Sequence, residues 1–445
     1  MKHIISTLVL TLPLAIAAQT PILVNTFPNP TPAAGSSFGT AIAALGSDRL
    51  LVGAYGSPSN NPGGVVYLYH TNGTLLTTFT NPTPFYEIGY SITTLGSDRV
   101  VIGSSDESVH LFTTNGALVS TLSGPGGPGG QGFGDSIIPF GNDKLLIGAT
   151  YAVEPGANGI GAAFLYSTNG TLLMTFRNPD TNFQSAYGFC VAAFGNDRVL
   201  MSANNNGPGF ACLFSTNGTL LTTITNPLPQ SDLHFGISAA AVGTDRILVG
   251  ADTDDPMVSD PARVYVFNTN GALLNTITTY VGSHILVLGE NRLVLGAPLA
   301  ANGTNFQSGA AFVFDIAGAP FATINNPEPT FQDFFGASLA PLGSQGLIIG
   351  APADDAGASN AGSVYLFSIP SPSAPPSVAI QRTTTNTVVV SWPTNATGFV
   401  LQQNTNGSKS VNWSNVTAGV QTVGTNQTLI VNPIGGSRFY RLVKP

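Results

Sequence analysis

Short apolar runs punctuated by Gly, Asn, Asp and Pro recur along this chain at nearly constant spacing. The most regular unit opens at Phe38-Gly39 and runs through apolar residues into the turn Leu45-Gly46-Ser47-Asp48-Arg49. A continuous apolar run follows, ending in Gly53-Ala54. After a variable loop the chain resumes with Val65-Val66-Tyr67-Leu68-Tyr69. It then turns at Thr71-Asn72-Gly73-Thr74, runs more polar to Phe79 and closes on Asn81-Pro82. The turn aspartate recurs at Asp98, Asp143, Asp197 and Asp245, with Asn291 and Gln345 at the same place in two further copies. Successive spacings of 50, 45, 54, 48, 46 and 54 residues define seven units.

Each unit predicts four short strands. The second is apolar throughout, as expected of a strand buried on both faces. The third is aromatic and β-branched, and the fourth is more polar, which suits an outer edge. Asn-Gly separates the third from the fourth at 72–73, 115–116, 169–170, 217–218 and 270–271, the signal of a tight type I′ hairpin. The Asn-Gly-Thr runs also match an N-glycosylation sequon, but their fixed place in the unit favours the turn. Four-stranded antiparallel units repeated radially make a β-propeller, whereas β-solenoid repeats are shorter, roughly 20–30 residues.

The seventh unit has Phe335-Gly336, a second run ending in Gly350-Ala351, and Val364-Tyr365-Leu366-Phe367. It stops at Ile369-Pro370 without a fourth strand. Ile22-Leu23-Val24-Asn25-Thr26-Phe27, followed by Asn29-Pro30, matches the missing segment. The expected fold is therefore all-β: a seven-bladed β-propeller over 19–369, closed by the N-terminal strand, which leaves no open edge in the last blade. Pro370 to Pro376 reads as a stiff linker. Residues 377–445 carry period-two runs, including Thr387-Val388-Val389-Val390-Ser391-Trp392 and Arg438-Phe439-Tyr440-Arg441-Leu442, that predict a small β-sandwich.

Phe-Gly at the start of a unit and Gly-Ala-Pro after its second strand resemble the FG-GAP repeat of the integrin α-subunit propeller. The match is clearest at Phe335-Gly336 with Gly350-Ala351-Pro352, and at Gly296-Ala297-Pro298. Ile88-Gly89 and Val281-Gly282 are degenerate copies. The resemblance implies a propeller acting in extracellular binding or adhesion. Many repeats of that family hold Ca²⁺ between the first two strands. Here a tight turn such as Gly46-Ser47-Asp48-Arg49 offers one carboxylate, against the 6–8 oxygen ligands Ca²⁺ takes. No cofactor is expected. The recurrent Asp reads as a turn-former bonding backbone N–H groups, and the Arg or Lys after it as a solvated edge charge. The strand at Trp392 is similar to that of a fibronectin type III domain.

Composition narrows the function. Only 8% of residues are charged and the net charge is −8, which argues against nucleic acid and against a polybasic membrane-surface role. Lys2 and His3, an apolar run from Ile4 to Leu14, and Ala15-Ile16-Ala17 read as an export signal over residues 1–18. No later apolar stretch reaches the ~20 residues of a membrane helix, so the expected protein is secreted, extracellular or periplasmic, with no integral membrane segment after cleavage. Cys190 and Cys212 fall on the first and third strands of one unit, about 9–10 Å apart, too far for a disulfide. Two free thiols are expected.

The four histidines after the signal, His70, His110, His234 and His284, are scattered singly, and no catalytic motif appears. Function is expected in the variable loops after the second strand. The acidic candidates there are Asp106, Asp252, Asp254, Asp255, Asp354 and Asp355, for cation or polar-ligand binding. Aromatics in the links, Phe85, Tyr86, Phe183, Phe331 and Phe334, are expected to pack between blades, the alternative being exposed rings that stack on sugars. The favoured function is noncatalytic binding of an extracellular protein or polysaccharide. The alternative is a carbohydrate-active propeller enzyme, which needs paired carboxylates about 5–10 Å apart. Expressed in an exporting host, the mature chain is expected to begin at Ala18 or Gln19, as intact-mass analysis of the secreted protein can check.

Overall fold

The computed structural model describes residues 20–56, 63–83, 86–125, 131–153, 160–179, 186–204, 209–228, 234–251, 262–278, 284–289, 291–301, 305–370, 378–384, 387–394, 399–405, 412–432 and 438–443. The chain divides into two compact units at Pro370. Among the described residues, the larger contains seven four-stranded antiparallel sheets. The first is built from Phe38–Leu45, Arg49–Ala54, Val65–His70 and Leu75–Thr80. Five more follow in chain order: Ile88–Leu95 to Leu118–Ser123, Phe133–Phe140 to Leu172–Arg177, Ala186–Phe194 to Leu220–Thr225, Ser238–Val242 to Leu273–Thr278, and His284–Leu288 to Pro320–Asn325. The seventh sheet joins Ser338–Leu342, Gly346–Ala351 and Ser363–Ser368 to Ile22–Pro28.

Burial falls off across each sheet as the residue types dictate. In the first, the strand Arg49–Ala54 is buried from Leu50 onward, while Leu75–Thr80 buries only Phe79. The same single anchor recurs in the outer strand of every other sheet, at Leu122, Phe176, Ile224, Ile277, Ile324 and Phe27. Phe27 faces Val364 as Phe79 faces Val66. Every outer strand also carries a bulge, at Val24, Leu76, Val119, Leu173, Leu221, Leu274 and Phe321. A bulge twists an exposed edge away from further pairing.

Successive sheets meet through glycine. The first strand of each sheet packs beside that of the next, and Ser338–Leu342 packs beside Phe38–Leu45. A methyl group on Gly53 would sit 2.2 Å from the Gly89 carbonyl oxygen, and one on Gly350 would sit 2.3 Å from that of Gly39. The same approach holds for Gly148 on Gly188 and Gly296 on Gly336. In these sheets the glycine one residue before the end of the second strand thus receives the backbone of the next sheet's Phe-Gly. A hydroxyl often completes the joint: Ser91 donates to Gly134 O and Ser338 to Gly39 O, each at 2.6 Å. In the fourth sheet Cys190 takes the serine's place, and its cross-strand partner Ser202 supplies the hydroxyl to Gly236 O at 2.6 Å. Neither Cys190 nor Cys212 is in a disulfide. Cys190 is in register with Ser202 and hence with Ala211, one residue from Cys212, so the two thiols also point to opposite faces of the sheet.

The turns depart from expectation in two ways. The Asn-Gly hairpins are three-residue loops: His70 N donates to Thr74 O and Gly73 N to His70 O. Only the glycine has positive φ, 93° at Gly73, so the geometry is a type I turn with a left-handed third residue rather than type I′. The asparagine caps the loop, with Asn72 Oδ1 accepting from Thr74 N at 3.0 Å. In the first turn, the left-handed residue is again glycine, Gly46, and Asp48 pairs with neighbouring Arg49 at 3.6 Å. Arg99 and Lys144 pair with the exposed Asp98 and Asp143 of their own turns, as edge charges do, whereas three other arginines reach across sheets. Arg49 donates to Ser97 O at 3.2 Å and Arg198 to Thr244 O at 3.0 Å, each on the next sheet's turn. Buried Arg292 donates to Ile369 O at 3.1 Å and stacks on Phe321. A long guanidinium arm can lie along apolar surface and still reach a carbonyl.

Among the described residues, the smaller unit has one four-stranded sheet, ordered Ala379–Arg382, Val388–Pro393, Asn426–Val431, Val420–Val423, and one of three strands, Ser414–Asn415, Val400–Asn404, Phe439–Val443. Both contribute to one core around Val390, Trp392, Leu401 and Leu429.

Removing residues 19–30 is expected to abolish cooperative folding of the larger unit. Phe27→Ala should cost about 3–5 kcal/mol, as should Phe79→Ala, because each deletes the only anchor of its outer strand. Chemical denaturation of the three variants checks this; a truncated chain as stable as the intact one would refute the role of the N-terminal strand.

Candidate functional site

The loops after the second strands and the links between sheets are tied to each other. The repeated Asn-Pro, which the sequence shows at the end of most units, supplies the tie. Asn29 Nδ2 donates to Ala361 O, Asn178 Nδ2 to Ile160 O and Asn326 Nδ2 to Ser308 O, at 3.1, 3.1 and 3.3 Å. The side-chain oxygen of Asn29, Asn81, Asn226 and Asn326 in turn caps the backbone N–H two residues on. Asn29, Asn178 and Asn326 therefore each fix a link against a loop.

Against this frame the predicted acidic residues separate. Asp252, Asp254 and Asp255 lie outside the described residues. Asp354 is buried; its carboxylate accepts from Tyr365 OH at 2.8 Å and Ala356 N at 3.0 Å. Burial, and then nearby Asp333, push its carboxyl above the ordinary range. Asp355 accepts from Asn360 N at 2.8 Å. Both hold the loop of the seventh sheet. Asp106 accepts from the N–H and hydroxyl of Ser108, whose oxygen lies 3.0 Å from His110 Nε2. Burial works to raise the Asp106 carboxyl, but hydrogen bonds from Ser108, Ser104 and Thr83, with His110 nearby, outweigh it and hold it low.

Asp106 also belongs to a larger group drawn from the first three sheets. Tyr55 and Tyr90 meet edge to face, 5.5 Å between centroids. Burial raises the Tyr55 phenol, helped by Glu87 and Asp135; burial raises that of Tyr90, helped by Asp135, Tyr55, Glu107 and Asp106. Glu107, at φ 60°, accepts from Gln131 N at 2.6 Å and Gly132 N at 3.3 Å, which ties the second sheet's turn to the link entering the third. Asp135 follows Phe133-Gly134, and Tyr90 follows Ile88-Gly89, so both occupy the position after the joint glycine. Its charge in a variable loop brings Asp106 to notice; chain spacing gives no sign that Tyr55, Glu87, Tyr90, Glu107 and Asp135 join it. Among the described residues, no group of three or more His, Cys, Asp or Glu is placed to hold a metal ion, and no helix is long and apolar enough to cross a membrane.

The link aromatics divide too. Phe85 and Phe183 lie outside the described residues. Phe334 is partly buried, but Tyr86 and Phe331 are exposed, against the expected packing. The sheets already close on each other through glycine backbone, which leaves these rings no gap to fill.

Four-stranded antiparallel sheets whose first strands lie side by side make the larger unit a β-propeller. A family model described as the FG-GAP repeat matches residues 322–367, from the outer strand of the sixth sheet to the third strand of the seventh. Among solved structures, Raptor from Chaetomium thermophilum matches at TM-score 0.53 and 10% identity, over 78% of this chain and 28% of that one. The chain thus spans little more than a quarter of that protein's length. A chain of the mitotic checkpoint complex matches at TM-score 0.56 and 10% identity, over 82% of this chain and 100% of that one. The WD40 β-propeller domain of Doa1 matches at TM-score 0.49 and 12% identity, over 77% and 97%. Likeness at such identities concerns the fold. No curated protein matches the sequence.

The raised carboxyl of Asp354 sets a pH dependence. An acid whose folded-state pKa exceeds its unfolded value contributes stability at low pH that is lost as pH rises through the folded value. Relative to wild type, Asp354→Asn should therefore gain stability as pH rises from about 4 to neutrality. Paired denaturation curves across that range check it; a constant difference would contradict it.

Proposed function

We propose that the chain is an exported, noncatalytic binding protein whose propeller presents one loop-bearing face to an extracellular protein or polysaccharide. We read the propeller as seven-bladed and closed by the N-terminal strand. In support, the seventh-to-first junction repeats the glycine joint, the serine hydroxyl and the Asn-Pro tie found between other sheets. The smaller unit is an accessory module similar to a fibronectin type III domain, and adhesion is the role the integrin-like resemblance suggests.

The observation that carries this reading is the Tyr55–Tyr90 pair with Glu87, Asp106, Glu107 and Asp135 around it. Two phenol rings amid carboxylates, held by backbone hydrogen bonds across three sheets, suit a lysine or arginine side chain of a partner protein through cation–π and charge attraction. In favour of a noncatalytic role, the described carboxylates Asp106, Glu107, Asp354 and Asp355 spend oxygens on hydrogen bonds within their own framework. A hydrolase needs such oxygens free to face substrate.

Screening the purified full chain on a protein and glycan array, with and without Ca²⁺, tests this. Expected is binding of a basic protein ligand that weakens with salt, is indifferent to chelator, and drops about tenfold in Glu87→Gln/Asp135→Asn. Glycan cleavage without stable binding would overturn the reading.

A further inference from the structure

Three non-glycine residues with positive φ cluster where the sixth sheet passes to the seventh: Gln307 at 56°, Gln332 at 64° and Phe334 at 55°. Such a conformation is costly for a bulky side chain. The backbone around it is firmly held. Gln332 N donates to Phe306 O, Phe334 N to Gln307 O and Phe335 N to Ser308 O, at 3.1, 3.2 and 3.2 Å. Beneath them buried Asp333 accepts from Asn326 Nδ2 at 2.7 Å and from the N–H and hydroxyl of Thr330.

The passage from the seventh sheet to the first repeats this frame with different residues. Gly35 N donates to Ser359 O, Ser37 N to Asn360 O and Phe38 N to Ala361 O, at 2.9, 3.1 and 3.0 Å. Asn360 and Ser37 have φ of 52° and 51°. By these bonds Ser359 stands where Phe306 does, Ala34 where Phe331 does, and Ser37 where Phe334 does. Small residues therefore suffice to build the frame. Yet Phe306 is 44% exposed and Phe331 63% exposed, two rings held in water that the fold does not require. Beside them Gln332 Nε2 donates to Gln307 Oε1 at 2.9 Å, which orients both amides while leaving polar capacity on each.

We propose that Phe306 and Phe331, with the Gln307–Gln332 amide pair, form a subsite for an uncharged polysaccharide. Pyranose C–H faces stack on the rings, and sugar hydroxyls bond the amides. No lysine or arginine lies on segments 305–309 and 330–335, so an acidic polymer finds no counter-charge. A peptide strand would need an open row of backbone N–H and C=O groups, and the facing backbone here is bonded between the two segments. The subsite rests on the reading of this face as a ligand-binding surface, and lies on different sheets from the acidic tyrosine group.

Affinity electrophoresis of the full chain in native gels containing mixed-linkage β-glucan, galactomannan or hydroxyethyl cellulose tests it, with alginate as the charged comparison. The double variant Phe306→Ser/Phe331→Ala installs the residues of the equivalent frame and should melt as wild type does. Expected is retardation of wild type by at least one neutral polymer, at least about tenfold weaker in the double variant and unchanged in Glu87→Gln/Asp135→Asn. Absence of retardation by all three neutral polymers, retardation unaffected by the double variant, or capture of a proline-rich peptide through these rings in their place would overturn the subsite. If a basic protein ligand still binds in those cases, the broader reading survives alone. If the protein array is blank while the rings hold a polysaccharide, the acidic group fails and the subsite stands.

Discussion

The close approach of two glycine backbones between neighbouring sheets is the constraint on which the rest of the structure depends. Gly53 against Gly89, Gly296 against Gly336 and Gly350 against Gly39 leave no room for a single methyl group. Sheets that meet this tightly exclude water from the apolar residues on their facing sides, and burial of those residues is the main favourable term in folding. The two halves of the Phe-Gly and Gly-Ala pattern thus belong to two different sheets. Each repeat is incomplete without its neighbour.

That constraint also explains where chemistry can sit. The inner strands are committed to the joint, and the outer strands hang from one anchor each. The links and the loops after the second strands remain, braced by the Asn-Pro ties. Side chains on this frame are free to vary while their backbone is not. The same left-handed geometry carries Ser37 at one junction and Phe334 at another, which is how one scaffold can present an acidic tyrosine group on one arc and bare aromatic rings on another.

Much of this was legible in the chain. The near-constant spacing of the turn, the apolar second strand and the Asn-Gly hairpin marked out the four-stranded units, and the likeness of Ile22–Asn29 to the segment ending at Asn81 pointed to the strand pairing with Ser363–Ser368. Other features escaped for identifiable reasons. Asn-Gly does not distinguish a two-residue loop from a three-residue one, because glycine supplies the left-handed position in both. Arg49 and Arg198 looked like edge charges because their acceptors are carbonyls, which any residue offers. The Asn-Pro repeat was visible, but its partners lie on a different loop. The acidic candidates were chosen for charge, whereas Asp106, Asp354 and Asp355 each sit two to five residues from the N–H they accept and hold their own turns.

The sequence by itself determined the local four-stranded units and their order along the chain, because strand periodicity and turn chemistry act over a few residues and repeat. It could not determine which residues of different units meet. Tyr55, Glu87, Glu107 and Asp135 come from four places in the chain, and Phe306 and Phe331 from two. Only the packing of one sheet on the next, with glycines that admit the neighbouring backbone, brings them within reach of each other.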